Sequence, residues 1–195
     1  TPIPGTNGDR TLTNTVNAWM HPSGFPNDIK GSAQATVKLF KPLVEVTKVC
    51  DPLSKTGDDL ACTVTVKNTG STSSPNLTFD ADPTKRLVDS LVGDLLGTLT
   101  RGVRTDNSVP GRCLSATSLA VGASCTVSYK FTVLDSDGTP IDGTNGDRTL
   151  TNTVNALMHP VGFPNNITGT GTATVKLFKP LVEVTKACDP RSEEH

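Results

Sequence analysis

Residues 1–52 recur as residues 139–190, about 43 of the 52 positions being identical at an offset of 138. The run GTNGDRTLTNTVNA stands unchanged at Gly5 to Ala18 and again at Gly143 to Ala156. An internal repeat of this length constrains the fold before any other feature does. A chain of 195 residues holds one full period and part of another, so the duplicated ends are expected to be pieces of units rather than units in themselves.

The stretch LFKPLVEVTK, Leu39 to Lys48 and again Leu177 to Lys186, marks where one unit gives way to the next. Proline fixes its own φ and drives the preceding residue toward extended geometry, so a Lys-Pro junction without a flexible spacer predicts units that are stiff relative to each other. Boundaries near Lys41 and Lys179 leave 43–178 as one complete repeat. On this division 1–40 are the closing strands of a preceding repeat and 181–195 the opening strand of a following one. Left alone, such pieces expose strand edges. A longer covalent array would satisfy them, and so would head-to-tail strand exchange between identical subunits. The absence of an initiator Met and of a signal peptide fits a processed chain or a window on a longer one.

The expected fold class is all-β, an antiparallel sandwich in tandem repeat. Alternation in Thr63-Val64-Thr65-Val66-Lys67 and Val44-Glu45-Val46-Thr47-Lys48 is the period of a sheet buried on one face. An aromatic content of 4%, with abundant Thr, Val, Gly and Pro, suits short strands joined by turns. Strands are predicted near 11–19, 33–40, 43–50, 60–68, 76–81, 113–119, 124–134, 149–157, 171–179 and 181–188. In RLVDSLVGDLLGTLT, Arg86 to Thr100, apolar residues recur every three to four positions, which predicts a short helix near 87–99 despite Gly93 and Gly97. A net charge of -1 and a pI near 6.2 offer no basic field for nucleic acid or anionic membrane. No apolar run approaches the ~20 residues of a membrane span.

Cys188 is the repeat copy of Cys50, so each unit owns four cysteines. Cys50 and Cys62 flank one predicted hairpin, Cys113 and Cys125 another, which brings each pair within bridging reach. Disulfides Cys50–Cys62 and Cys113–Cys125 are therefore expected, among the three connectivities that four cysteines permit. The tight spacing of a zinc site is absent, and disulfides imply an oxidising, extracellular or cell-surface location. Cys188 would remain unpaired unless a following repeat supplies its partner.

The run Gly57-Asp58-Asp59-Leu60-Ala61-Cys62-Thr63-Val64-Thr65-Val66-Lys67-Asn68-Thr69-Gly70, followed by Leu119-Ala120-Val121-Gly122-Ala123-Ser124-Cys125-Thr126-Val127 and Leu150-Thr151-Asn152-Thr153-Val154, resembles the domain of unknown function eleven family. The resemblance covers the 43–178 unit. It implies an immunoglobulin-like repeat module of bacterial and archaeal surface proteins, and it implies no catalytic residues. Cys62 departs from the family in standing where an aromatic residue is usual, and the leucine-rich 87–99 stretch looks like an insertion.

Several constellations bear on function. Asp135, Asp137, Asp142, Asn145 and Asp147 are oxygen donors on a Gly-rich loop of the kind that wraps calcium, although Asp and Asn beside Gly are also ordinary turn residues. Pro4 replaces the Asp142 equivalent upstream. Asn76 and Asn166 begin glycan acceptor sequons. His21 and His159 precede prolines and read as loop residues.

Lys48 and Lys186 on the opening strand, with Asn152 and Asn155 near the unit's end, invite comparison with surface-fibre domains that join a Lys to an Asn covalently beside a buried acid. Glu45, three residues away, would face the opposite side of the strand from Lys48, so a solvated lysine is expected instead. No nucleophile, phosphate loop or paired acid stands on a recognisable scaffold, and an enzyme is not expected. The leading expectation is a structural subunit of an extracellular filament or rigid surface stalk. The alternative is an adhesin whose calcium-ordered loops recognise a glycan or surface protein.

Overall fold

The computed structural model describes residues 1–106 and 111–188. Its secondary structure is almost entirely strand. The first two strands, β1 (Arg10–Met20) and β2 (Ile29–Leu39), form an antiparallel hairpin that is a sheet by itself, in register from Arg10 opposite Leu39 to Met20 opposite Ile29. Among the described residues all the other strands lie between 44 and 177.

One sheet of that remainder runs β3 (Val44–Cys50), β5 (Asp59–Asn68), β10 (Ser124–Thr132) and β9 (Val103–Arg104). The other runs β4 (Leu53–Ser54), β13 (Ile167–Leu177), β12 (Arg148–Pro160), β7 (Leu87–Asp89) and β8 (Gly93–Asp94). Two short strands, β6 (Leu77–Phe79) and β11 (Thr139–Pro140), also pair with β12. Most pairings are antiparallel; β4 joins β13 in parallel.

Period-two alternation accounts for the core. Strand β5 turns Leu60, Cys62, Val64 and Val66 inward, β10 contributes Cys125, Val127, Tyr129 and Phe131, and β12 contributes Leu150, Val154, Ala156 and Met158. Side chains from both sheets join in one apolar cluster. Each large aliphatic side chain fully buried this way stabilises the fold by about 1.5–3 kcal/mol. Cys50 is bonded to Cys62, its partner in register across β3 and β5, and Cys113 to Cys125. Cys188 is a free, exposed thiol.

The structure corrects three local expectations. No helix forms over 87–99. Strand β7 instead ends at Asp89, whose Oδ1 accepts the N–H groups of Leu91 (2.9 Å) and Val92 (3.1 Å), turning the chain into β8 through Gly93 at φ 78°. Arg86 pairs with Asp94 across this turn. Leu87, Val92 and Leu95 still reach the core, so the spacing reported burial correctly but arose from a folded-back loop.

The predicted strand at 113–119 is a single 3-10 turn, Cys113–Ser115, followed by a two-bond bridge between Leu119 and Leu77. The predicted strand at 181–188 does not form: Leu181, Val182 and Val184 are exposed, and no strand among the described residues pairs with them. The rest of the expected opening strand, from 189 to 195, lies outside the described residues.

Where β3 crosses β13 the two sheets approach closely. A Cβ on Gly171 would lie 3.0 Å from the Val46 carbonyl oxygen and 3.2 Å from the Lys48 nitrogen, and one on Gly169 only 2.7 Å from Val46 Cγ2. Glycine here is a packing requirement. Gly171→Val is expected to destabilise the protein by about 1–3 kcal/mol, the usual cost of overpacking, read as a lower denaturation midpoint in urea. An unchanged midpoint would show that the sheets separate freely at this crossing.

Candidate functional site

The duplicated ends differ in what covers them. Between residues 44 and 177, β12 and β13 bury Leu150, Val154, Met158, Val175 and Leu177. Their copies in the β1–β2 hairpin are Leu12, Val16, Met20, Val37 and Leu39, and all five are exposed. Val16 is 64% exposed where Val154 is fully buried, and Met20 69% where Met158 is fully buried. The same side chains at the same strand positions therefore form a core face in one copy and a bare apolar face in the other.

At its root the hairpin is fastened to the segment 69–73. Asn7 Nδ2 donates to the Thr69 carbonyl (3.0 Å), the Thr72 N–H to the Thr6 carbonyl (3.0 Å), and the Ser73 N–H to Asp9 Oδ2 (3.0 Å). Ser71 Oγ accepts the Lys41 N–H at 2.7 Å, and Phe40 packs edge-on against Phe163 with ring centroids 4.8 Å apart. Asp9 is buried. Burial alone would push its carboxyl pKa up, but hydrogen bonds from Ser71 and Ser73, with the Lys38 charge, bring it below the ordinary value. Polar contacts and an aromatic pair together span the Lys-Pro junction.

A second site lies inside the unit. Lys48 is not solvated: its side chain is fully buried and its Nζ donates to Asp89 Oδ2. Tyr129 Oη donates to the same carboxylate oxygen at 2.5 Å. Asn152, also buried, accepts a hydrogen bond from Ser90 Oγ on Oδ1 (3.0 Å), while its Nδ2 makes no directed hydrogen bond. Ser90 Oγ in turn accepts the Thr153 N–H at 3.1 Å.

Burial pushes the Lys48 pKa down, and the Asp89 charge only partly restores it. Burial and the Asp89 charge push the Tyr129 hydroxyl up, the Asn152 amide beside it acting in the opposite sense. The four residues come from β3, β7, β10 and β12, two from each sheet. Glu45 takes no part and is exposed. Asp89 and Tyr129 were missed in the sequence, the first because its strand lies in the stretch read as helix.

The other candidates are dispersed. Asp137 pairs with Arg101 and accepts the Leu134 N–H; Asp147 pairs with Lys176 and accepts the Lys179 N–H; Asp135, Asp142 and Asn145 are exposed. Among the described residues no group of three or more His, Cys, Asp or Glu side chains is placed to hold a metal ion. Asn76 and Asn166 are exposed, Asn76 donating to Ser118 Oγ. His159 lies on β12 rather than in a loop and meets Asp80 at 2.6 Å, while His21 meets Asp28 on the surface. No helix among the described residues is long and apolar enough to cross a membrane. The chain matches no family model, no curated protein and no solved structure. The resemblance to the domain of unknown function eleven modules rests on the quoted motifs alone.

Several surface carboxylates sit below their ordinary pKa. Asp82 is lowered to about 2 by the Thr84 hydroxyl and N–H, Asp80 is lowered by the Asp82 N–H and His159, and Asp59 by Lys130 and Thr132. A carboxylate depressed on folding adds stability that is present above its unfolded pKa of about 3.9 and lost as pH falls through the folded value. The Tm is thus expected to hold from neutrality to about pH 5 and to fall below about pH 4, with Asp82→Asn flattening the lower part of the fall in calorimetry. A Tm independent of pH down to 2 would remove these carboxylates from the account.

Proposed function

We propose that this chain is a segment of a structural, extracellular filament or rigid surface stalk, built head to tail from immunoglobulin-like repeats of 138 residues. The observation that carries the reading is the bare apolar face of β1–β2, whose copy in β12–β13 is core. Burying five aliphatic side chains of this kind, at about 1.5–3 kcal/mol each, would stabilise the assembled repeat strongly. Two disulfides within the unit suit an oxidising, extracellular setting.

Between the two ways of covering that face, the geometry favours a longer covalent array over strand exchange. If one molecule's β1–β2 entered a neighbour's slot it would displace that neighbour's β12–β13, so as much apolar surface would be released as buried. A middle segment belonging to a preceding repeat, equivalent to 43–138, would cover the hairpin without displacing anything. The Thr6, Asn7 and Asp9 contacts would then set the angle between consecutive repeats, and the short Lys-Pro junction would keep it fixed.

The test is to place a further copy of 43–138 ahead of this chain and follow amide hydrogen exchange in β1 and β2. Protection of both strands should rise to that of β12 and β13, and binding of an apolar dye should fall. Exchange and dye binding that stay as they are in the shorter chain would sink the array. A second measurement addresses the joint: Asp9→Ala should leave the melting of the 43–178 unit unchanged while speeding protease cleavage between 1 and 42. Equal cleavage rates would mean that the joint does not fix the hairpin.

A further inference from the structure

We propose that Lys48 and Asn152 are joined by an intramolecular amide bond, formed by the folded protein itself with Asp89 as the proton carrier. The inference rests on the buried cluster and is independent of the array reading, since all its residues lie within one unit. Three observations point to chemistry rather than to a passive ion pair. A lysine with a fully buried side chain is costly to keep as a charged group, and replacing such a pair by apolar residues is often stabilising. The Asn152 carboxamide is buried with Nδ2 lacking a directed partner, an arrangement that itself costs free energy. Its Oδ1 meanwhile accepts from the Ser90 hydroxyl, which a backbone N–H holds in place, so the carbonyl is polarised as an electrophile.

Position supports the same conclusion. Lys48 lies on β3 where that strand crosses the sheet of β12 and β13; its backbone nitrogen is close to Gly171, and Gly171 pairs with Val154, two residues along the same face from Asn152. Asp89 pairs in register with Val154 from the other side of β12, and Tyr129 closes the site from the opposite sheet. A desolvated lysine whose pKa is lowered has access to the neutral, nucleophilic amine.

The reaction balances without any co-reactant. The Lys48 ammonium gives one proton to the Asp89 carboxylate, and the free Nζ lone pair attacks Asn152 Cγ. The Nζ–Cγ bond forms as the carbonyl electron pair moves onto Oδ1, where the Ser90 hydroxyl donates. Asp89 delivers its proton to Nδ2; the carbonyl re-forms, the Cγ–Nδ2 bond breaks, and ammonia leaves. A second proton then passes from Nζ through Asp89 to the departing ammonia. Lysine ammonium and carboxamide have become a secondary amide and an ammonium ion, and Asp89 is again a carboxylate. Tyr129 holds Asp89 in place throughout and is a positioning residue.

The duplicated ends supply an internal control. Asn14, the copy of Asn152, and Lys186, the copy of Lys48, are exposed and so lie in no buried cluster like that of Lys48 and Asp89; each chain should therefore form one bond only. Intact mass spectrometry of the purified protein should give a mass lower than that of the disulfide-bonded sequence by one ammonia. Digestion after reduction should yield a branched peptide linking Lys48 to Asn152. Asn7-Gly8 and Asn145-Gly146 can also lose ammonia by cyclising, so the Lys48→Met variant decides the source: it should keep the full mass. Asp89→Asn, close in shape, should fold with both disulfides and also keep the full mass. A wild-type protein at full sequence mass overturns the proposal, as does ammonia loss that survives in Lys48→Met. Bond formation in Asp89→Asn overturns the role of Asp89.

Discussion

The crossing of β3 over β13 is the contact on which the rest of this structure depends. Two glycines, Gly169 and Gly171, let the backbones meet there closely enough that a methyl group would strike the Val46 carbonyl. That approach lets β3, held to β5 by hydrogen bonds and by the Cys50–Cys62 disulfide, seal the apolar face of the β12–β13 hairpin. It also sets the Lys48 side chain between the sheets. Without an opening strand and its sheet, a hairpin of nearly the same sequence is the exposed ribbon seen in β1–β2. Local strand propensity suffices for the hairpin, but its burial is a tertiary effect.

How far this was legible in the sequence follows from which signals are local. Alternation in β3, β5, β10 and β12 reads directly off Val44 to Cys50, Leu60 to Asn68, Cys125 to Phe131 and Leu150 to Met158. The same parity rule, carried one step further, places Lys48 inward after Val44 and Val46, and Asn152 inward between Leu150 and Val154. The expectation of a solvated lysine came from seeking its acid on the same strand, at Glu45. The acid comes instead from Asp89, on a three-residue strand whose surroundings have helical spacing because Leu87, Val92 and Leu95 fill the core from a turn. Nothing local marks that residue, because its side chain serves both its own turn, through the Leu91 and Val92 N–H groups, and a lysine on the other sheet.

The region between β9 and β10 shows the same limit. The spacing of Cys113 and Cys125 suggests a hairpin, yet Cys113 lies in a 3-10 turn and Leu119 reaches across to Leu77. Proximity of the thiols survives the wrong element because both cysteines are buried on one side of the same core. Burial pattern is a property of the residue's environment and persists when the backbone path differs.

In the stalk proposed above, tension would enter each repeat at its first strand and leave at its last, here β3 and β13. In a sandwich held only by hydrogen bonds and packing, such load shears those strands apart and the middle of the unit then pays out. The Cys50–Cys62 bond ties β3 to its own sheet but leaves the two sheets unlinked; Cys113–Cys125 is likewise internal to the middle of the unit. The proposed amide between Lys48 and Asn152 would join the sheets directly, because it would run from β3 to β12. Force entering at residue 43 would then pass from 48 to 152 and out along β12 and β13, and the chain between would carry none. The buried lysine, unfavourable as a charge, would in this way become the group on β3 that makes that connection.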